Sequence, residues 1–196
     1  MLVDSHPMTS LRHLEETTVP QGHEAADRGA VPQRSMAGID SLAGAVTVVT
    51  SSDGSARFGV TSTSVCSLSV DPPTLITCIP RSSTLGREVG RTGRFCVNVL
   101  TSEQRDIAEV FAAAGGADKD RFRHGSWVPG TTGSPVLQDS LASFECSIDL
   151  VYGYPEHLMV VGRVQNLVQE TGAGEPLVYI ARQYAQLDHG AMVAAS

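Results

Sequence analysis

The spacing of turn signals limits the fold of this chain more than any other feature. Strand-like runs over Ala45–Thr50, Ala56–Thr61, Val65–Val70 and Thr74–Ile79 follow one another with only a few residues between them. The stretch SSDG (51–54) is a hairpin signal between the first two. Pro72 and Pro73 end the third, because proline has no N–H to give to a ladder. RFCVNVL (94–100), Ser143–Val151, His157–Asn166 and Leu177–Tyr184 read as further strands. In Ser143–Val151, Phe144, Cys146, Ile148 and Leu150 point one way, while Ser143, Glu145, Ser147 and Asp149 point the other. That alternation predicts a half-buried antiparallel strand. Helical signals are fewer. Residues 36–42 are expected to form a short helix. RSSTLGREVG (81–90) has Leu85 and Val89 spaced i, i+4, with Gly90 at its end. TSEQRDIAEVFAAAG (101–115) joins a Thr101/Gln104 capping box to an apolar face of Ile107, Val110 and Phe111. Residues 114–135 read as loop. Seven or so short strands with few helices argue against a doubly wound sheet. They predict a mainly β fold, an antiparallel barrel with helices at its periphery.

With 196 residues, 41% of them hydrophobic, the chain supports one globular domain. Residues 1–35 mix Pro, Gly, Thr and both charges without apolar periodicity. They are expected to be a flexible extension, or a segment that orders only on a partner. The domain is expected to span 36–190, with 191–196 as a C-terminal tail. A net charge of −7 and 5% aromatics argue against nucleic acid as a partner. They leave room for an anionic small ligand, since local charge can oppose net charge. No run is long enough to span a membrane and no apolar targeting segment opens the chain, so a cytoplasmic protein is expected. The four cysteines (Cys66, Cys78, Cys96 and Cys146) form no CxxC pair and lie in apolar or strand-like runs. They read as buried free thiols, and no metal site is expected.

The sequence holds no GxGxxG opening a helix, no GxxxxGK[ST], no GxSxG and no HExxH. Two hydroxyl clusters carry the chemical signal instead: TSTS (61–64) and RSST (81–84). Six hydroxyls fall between Gly59 and Ser69. Hydroxyls, free backbone N–H groups and a nearby arginine are natural donors to phosphate. The second cluster also opens a helix, whose first N–H groups favour an anion. The residues alone leave open a plainer account, in which TSTS is a solvated edge strand and Ser83 only an N-cap.

From about Ala43 to Tyr184 the chain resembles the flavin reductases that supply reduced flavin to two-component monooxygenases. The stretches GAVTVVT, GVTSTSVCSLSVDPPTLITCIPRSST, GRFCVNVL, DRFRHGSW, GSPVL and EHLMVVGRV carry the resemblance, in order and in spacing. It implies an FMN-binding split barrel, a homodimer with the flavin near the subunit boundary, and hydride transfer from NADH or NADPH to FMN or FAD. Position by position, it places Thr61, Ser62, Thr63 and Ser64 around the ribityl chain and phosphate. Cys78, Ile79 and Pro80 fall against the flavin ring, and Ser83 and Thr84 on the phosphate-side loop. Phe95 and Asn98 fall in the strand beside the flavin. His157 matches a histidine on the nicotinamide side, able to orient that ring or supply a proton. Arg182 and Tyr184 match the closing strand. Three features depart from the family pattern. The CIPRSSTLG loop is one residue shorter, Leu85 stands where Trp is frequent, and GYPEH stiffens the turn before His157 with Pro155. Arg81 reads either as a screen for the phosphate or as an exposed loop charge, and Lys119 and Arg121 either as a further screen, from a loop or from the partner subunit, or as a solvated charge run. Split barrels also host flavin-binding electron carriers and flavoproteins that act directly on an organic substrate, so both remain alternatives at this point.

Overall fold

The computed structural model describes residues 38–113, 118–169 and 174–187. The expected extension 1–35 and tail 191–196 lie outside the described residues. Twelve strands are described: β1 (Gly44–Ala45), β2 (Thr47–Ser52), β3 (Arg57–Ser62), β4 (Val65–Val70), β5 (Pro73–Pro80), β6 (Arg94–Val99), β7 (Trp127–Pro129), β8 (Pro135–Leu137), β9 (Ala142–Gly153), β10 (His157–Val168), β11 (Leu177–Ile180) and β12 (Gln183–Gln186). Helix α1 is Thr84–Thr92, α2 is Arg105–Ala112 and α3 is the single turn Asp118–Arg121. Seven strands form one sheet in the order β3-β2-β6-β9-β10-β5-β4, with every pairing antiparallel. Strands β1, β11 and β12 make a small second sheet, and β7 pairs with β8.

The large sheet curls around a core of Val49, Phe58, Val60, Ile79, Phe95, Val97, Cys146 and Val160, and α1 plugs it with Leu85 and Val89. Gly162 lets Phe95 lie on the β10 backbone; a Cβ there would sit 2.3 Å from the ring. A second core gathers Val46, Val48, Leu100 and Leu177 under the Ile107, Ala108 and Phe111 face of α2. Phe111, Phe122 and Trp127 close it as an aromatic trio with centroids 5.0–5.4 Å apart.

Helix α1 runs past Gly90 to Thr92 and ends at Gly93, whose φ of 69° is the left-handed cap. The 101–115 helix opens with a 3-10 turn (Ser102–Gln104), and Gln104 Oε1 accepts from the Thr101 N–H at 3.0 Å as the capping box requires. Of the expected helix at 36–42, Gly38 and Ile39 are helical and Asp40 and Ser41 form the turn after them, while residues 36–37 lie outside the described residues. The expected loop at 114–135 contains α3 and β7 and turns into β8.

The alternation in β9 holds as far as Ile148; a bulge at Asp149 then reverses it, so that Leu150 is exposed on the outer face and Val151 packs on the core. At the start of the strand the polar side does not face water. Ser143 and Glu145 have no exposed surface, because the β7–β8 hairpin covers them. Glu145 Oε2 accepts from the Thr132 N–H (2.7 Å) and the Thr132 hydroxyl (2.9 Å), and Oε1 accepts from Asn166 Nδ2 (2.8 Å). Burial works to raise the Glu145 carboxyl. The donors from Thr132, Asn166 and the Thr131 backbone outweigh it and hold the group below its ordinary value.

The cysteines divide in the same way. Cys96 and Cys146 are buried, and burial pushes the Cys146 thiol up to about 12. Cys66 is exposed and Cys78 half-buried, because the outer side of β4 and β5 is bare in a single chain. All four are free thiols.

Candidate functional site

The two edges of the large sheet meet where TSTS lies. Strand β3 ends at Ser62 and β4 begins at Val65, so Thr63 and Ser64 carry the chain from one edge to the other. There the Ser62 hydroxyl donates to the Cys78 carbonyl (3.3 Å), and the Cys78 N–H donates to the Ser64 carbonyl (3.0 Å). These bonds tie β3 to β5 at the split of the barrel.

Strand β5 runs out at Pro80 into the turn before α1. The Pro80 carbonyl accepts from both the Ser83 N–H (3.1 Å) and the Ser83 hydroxyl (2.7 Å). The same hydroxyl accepts from the Gly86 N–H (2.9 Å) as the helix N-cap. Gly86 is needed for this approach, since a Cβ there would fall 2.2 Å from the Pro80 carbonyl oxygen. Strand β10 starts with His157 directly opposite Pro80, and the Arg81 N–H donates to the Glu156 carbonyl (2.9 Å). The split, the end of β5, the start of α1 and exposed His157 therefore gather at one end of the barrel.

The small sheet backs onto the same bend. Gly44 in β1 lies so close to Thr63 that a Cβ would sit 2.9 Å from its carbonyl oxygen. Gly44 pairs with Tyr179, whose ring meets Tyr184 edge-on at 5.2 Å. Arg182 is exposed in the two-residue turn after β11, where Ala181 and Arg182 both hold positive φ (50° and 61°). Hairpin twist demands this at both central positions, and only Gly, Asn or Asp adopts it readily.

Phe95 and Ile79 are wholly inside the barrel. Asn98, three residues from Phe95, faces the other side of β6. Its amide donates to the Val48 carbonyl (3.0 Å) and Thr50 Oγ1 (3.2 Å), and its carbonyl accepts from the Leu137 N–H and Ser143 Oγ (both 2.8 Å). The structure does not bring the side chains of Phe95 and Asn98 to the surface where the hydroxyls gather.

The hydroxyls divide into two sets. The Thr61 hydroxyl donates to the Ala108 carbonyl in the middle of α2 (2.7 Å), while Ser62 and Ser83 make the bonds described above. Thr63, Ser64 and Ser82 are exposed, and Thr84 is half-buried at the first turn of α1. Two exposed arginines flank them. The Arg87 guanidinium donates to the Ser82 carbonyl (2.6 Å), and that of Arg81 lies against Gly153. Exposed hydroxyls, a helix start and two guanidinium groups are a donor set suited to a phosphate ester. Arg87 escapes a reading of the sequence by motif, although its spacing of four from the Ser83 cap was there to find.

This fold and donor set define a split-barrel protein of the flavin reductase class. Residues 39–188 match the family described as flavin reductase like domain, and the chain belongs to that family. It is 33% identical over 149 residues to the FMN reductase (NADH) RutF of Pseudomonas syringae, covering 76% of this chain and 83% of that protein. It is 36% identical over 145 residues to the 4-hydroxyphenylacetate 3-monooxygenase reductase component of Salmonella typhi, covering 74% and 85%. Among solved structures it is similar to the Streptomyces globisporus NADH:FAD oxidoreductase SgcE6, determined with NAD and FAD fragments. That match has a TM-score of 0.74 at 25% identity and covers 82% of this chain and 94% of SgcE6.

Proposed function

We propose that the protein is an NADH-dependent flavin reductase whose product serves a separate flavin-dependent monooxygenase. The observation that carries this reading is the gathering of Thr63, Ser64, the β5 end, the α1 start and His157 at the barrel split, in a chain of this family. FMN is the first flavin to expect and FAD the second, as the names of the relatives suggest. NADPH is a candidate donor alongside NADH.

When bound, the flavin accepts a hydride from the nicotinamide, which is oxidised as the flavin is reduced. The residues of the chain position the two. Thr63, Ser64 and the α1 start donate hydrogen bonds to the phosphate side, and Arg81 and Arg87 neutralise its charge. Cys78–Pro80 offers a flat strand end for the ring. Thr61, Ser62 and Ser83 act through the backbone they hold rather than by touching the cofactor, and Phe95 and Asn98 act from behind the strand. His157 and Arg182 face the nicotinamide side, with Tyr184 behind Arg182. A second copy of the chain covers the open side, making a homodimer.

Steady-state oxidation of NADH and NADPH with added FMN and FAD tests the reading. NADH with FMN is expected to turn over, and consumption of neither nucleotide with either flavin overturns it. Flavin that separates from the protein on gel filtration supports export to a partner enzyme. In this scheme His157→Ala lowers kcat by more than it weakens flavin binding, and equal losses in both remove its nicotinamide role.

A further inference from the structure

Of the ten aromatic residues of the chain, nine are buried or half-buried and one, Tyr154, is 68% exposed. Tyr154 stands in the stretch GYPEH, which turns β9 into β10 at the candidate flavin end, where His157 lies opposite Pro80. We infer that this turn, together with Arg81, binds an adenosine diphosphate group, which on the reductase reading of this end is the group that NADH and FAD have in common.

The turn holds its ring still. The Tyr154 N–H donates to the His157 carbonyl (2.9 Å), which ties the two ends of the turn together. Pro155 fixes its own φ and confines Tyr154 to extended backbone. From the α1 side, the Arg81 N–H donates to the Glu156 carbonyl (2.9 Å). A tyrosine ring on a backbone held this way loses little freedom when a flat base stacks on it. The Arg81 guanidinium lies in the space that Gly153 leaves open, since a Cβ there would sit 2.5 Å from its Nη2. The cation therefore rests against the residue next to the exposed ring. Arg81 and Glu156 are both exposed, and neither joins an ion pair among the described residues. A guanidinium offers paired donors to a diphosphate. The Glu156 carboxylate only accepts, which suits the hydroxyls of a ribose. Base, sugar and diphosphate each meet a matching group. A simple anion would use Arg81 and leave the ring bare, and an apolar ligand would leave both charges unmet.

Calorimetric titration of the full chain with ADP and with ribose 5-phosphate tests this without turnover, so its failure is distinct from failure of the reductase reading. ADP is expected to bind saturably, and ribose 5-phosphate about tenfold more weakly for want of a base to stack. Tyr154→Ala is expected to weaken ADP about tenfold and leave ribose 5-phosphate unchanged, while Tyr154→Phe keeps the wild-type affinity for both. Arg81→Gln, which retains the backbone bond to Glu156, is expected to weaken both about fivefold. Steady-state kinetics then tell which molecule carries the group. In Tyr154→Ala, a KM raised for NADH but not for reduced nicotinamide mononucleotide, with FMN as acceptor, assigns it to the hydride donor. A KM raised for FAD but not for FMN assigns it to the flavin. Absence of saturable ADP binding, ribose 5-phosphate binding as tightly as ADP, ADP affinity unchanged in Tyr154→Ala, or a KM raised for neither NADH nor FAD overturns the inference.

Discussion

Glu145 shows how one residue acquires a task that its position in the strand pattern does not announce. Alternation puts it on the polar side of β9, and a polar side ordinarily faces water. Thr132 lies thirteen residues earlier in the chain and turns that side into a buried anchor for the β7–β8 hairpin. Gly130 is part of the fit, since a Cβ there would fall 2.4 Å from Glu145 Oε2. Because the folded-state carboxyl lies below its ordinary 4.5, the anchor contributes stability that is fully present above that value and fades as pH falls through the depressed one. Glu145→Gln turns an amide N–H₂ or a single oxygen toward three donors. It is expected to cost about 1–3 kcal/mol at neutral pH. In thermal melts the gap between wild type and Glu145→Gln should be constant from pH 7 to about 5.5 and narrow below about 4.5. A gap that widens in acid contradicts the anchor.

At the scale of elements, α1 shows what a local pattern does and does not reveal. The Leu85/Val89 spacing and the serine cap are sequence-local, and both are in place in the structure. Gly90, where the local pattern ends the helix, is an exposed helical position, and the left-handed φ falls instead on Gly93, where the chain must turn into β6. Ser83 joins the Pro80 carbonyl to the Gly86 N–H, so it fixes helix and strand end together. Ser83→Ala is expected to lower stability by about 1 kcal/mol. Flavin affinity should fall with it, measured by fluorescence quenching, while Ser83→Thr restores both. The hydroxyl run shows the same limit. Its residue types are legible, but which hydroxyls face outward is not. Thr61 is spent on Ala108, 47 residues away, and only the packing of α2 on β3 makes that bond.

For the whole molecule, the bare face of the sheet matters most. Cys66, Ile76, Val161 and Leu150 lie side by side across β4, β5, β10 and β9, and Cys78, Met159 and Tyr152 form the next row. Leu68 and Val70 extend this apolar face, with Val70 90% exposed. It adjoins the Cys78–Pro80 strand end, so a second copy seated there would wall the proposed flavin site and exclude water from it. Sedimentation should find the wild-type chain as a dimer. Ile76→Glu is expected to yield a folded monomer with flavin affinity lowered about tenfold or more, because each copy loses its covering wall. A monomeric wild type with full activity removes the dimer from the scheme.

By itself the sequence determined the antiparallel, strand-rich architecture, the approximate place of each strand, the two hydroxyl clusters and the family. Each of these rests on periodicity, turn chemistry or motif order within a few residues. Tertiary structure alone decided which hydroxyls are spent and which are free, that Glu145 is buried, and that His157 stands opposite Pro80. Those facts depend on register between strands far apart in the chain, and a strand pattern with a period of two records which side a residue takes without recording what covers it.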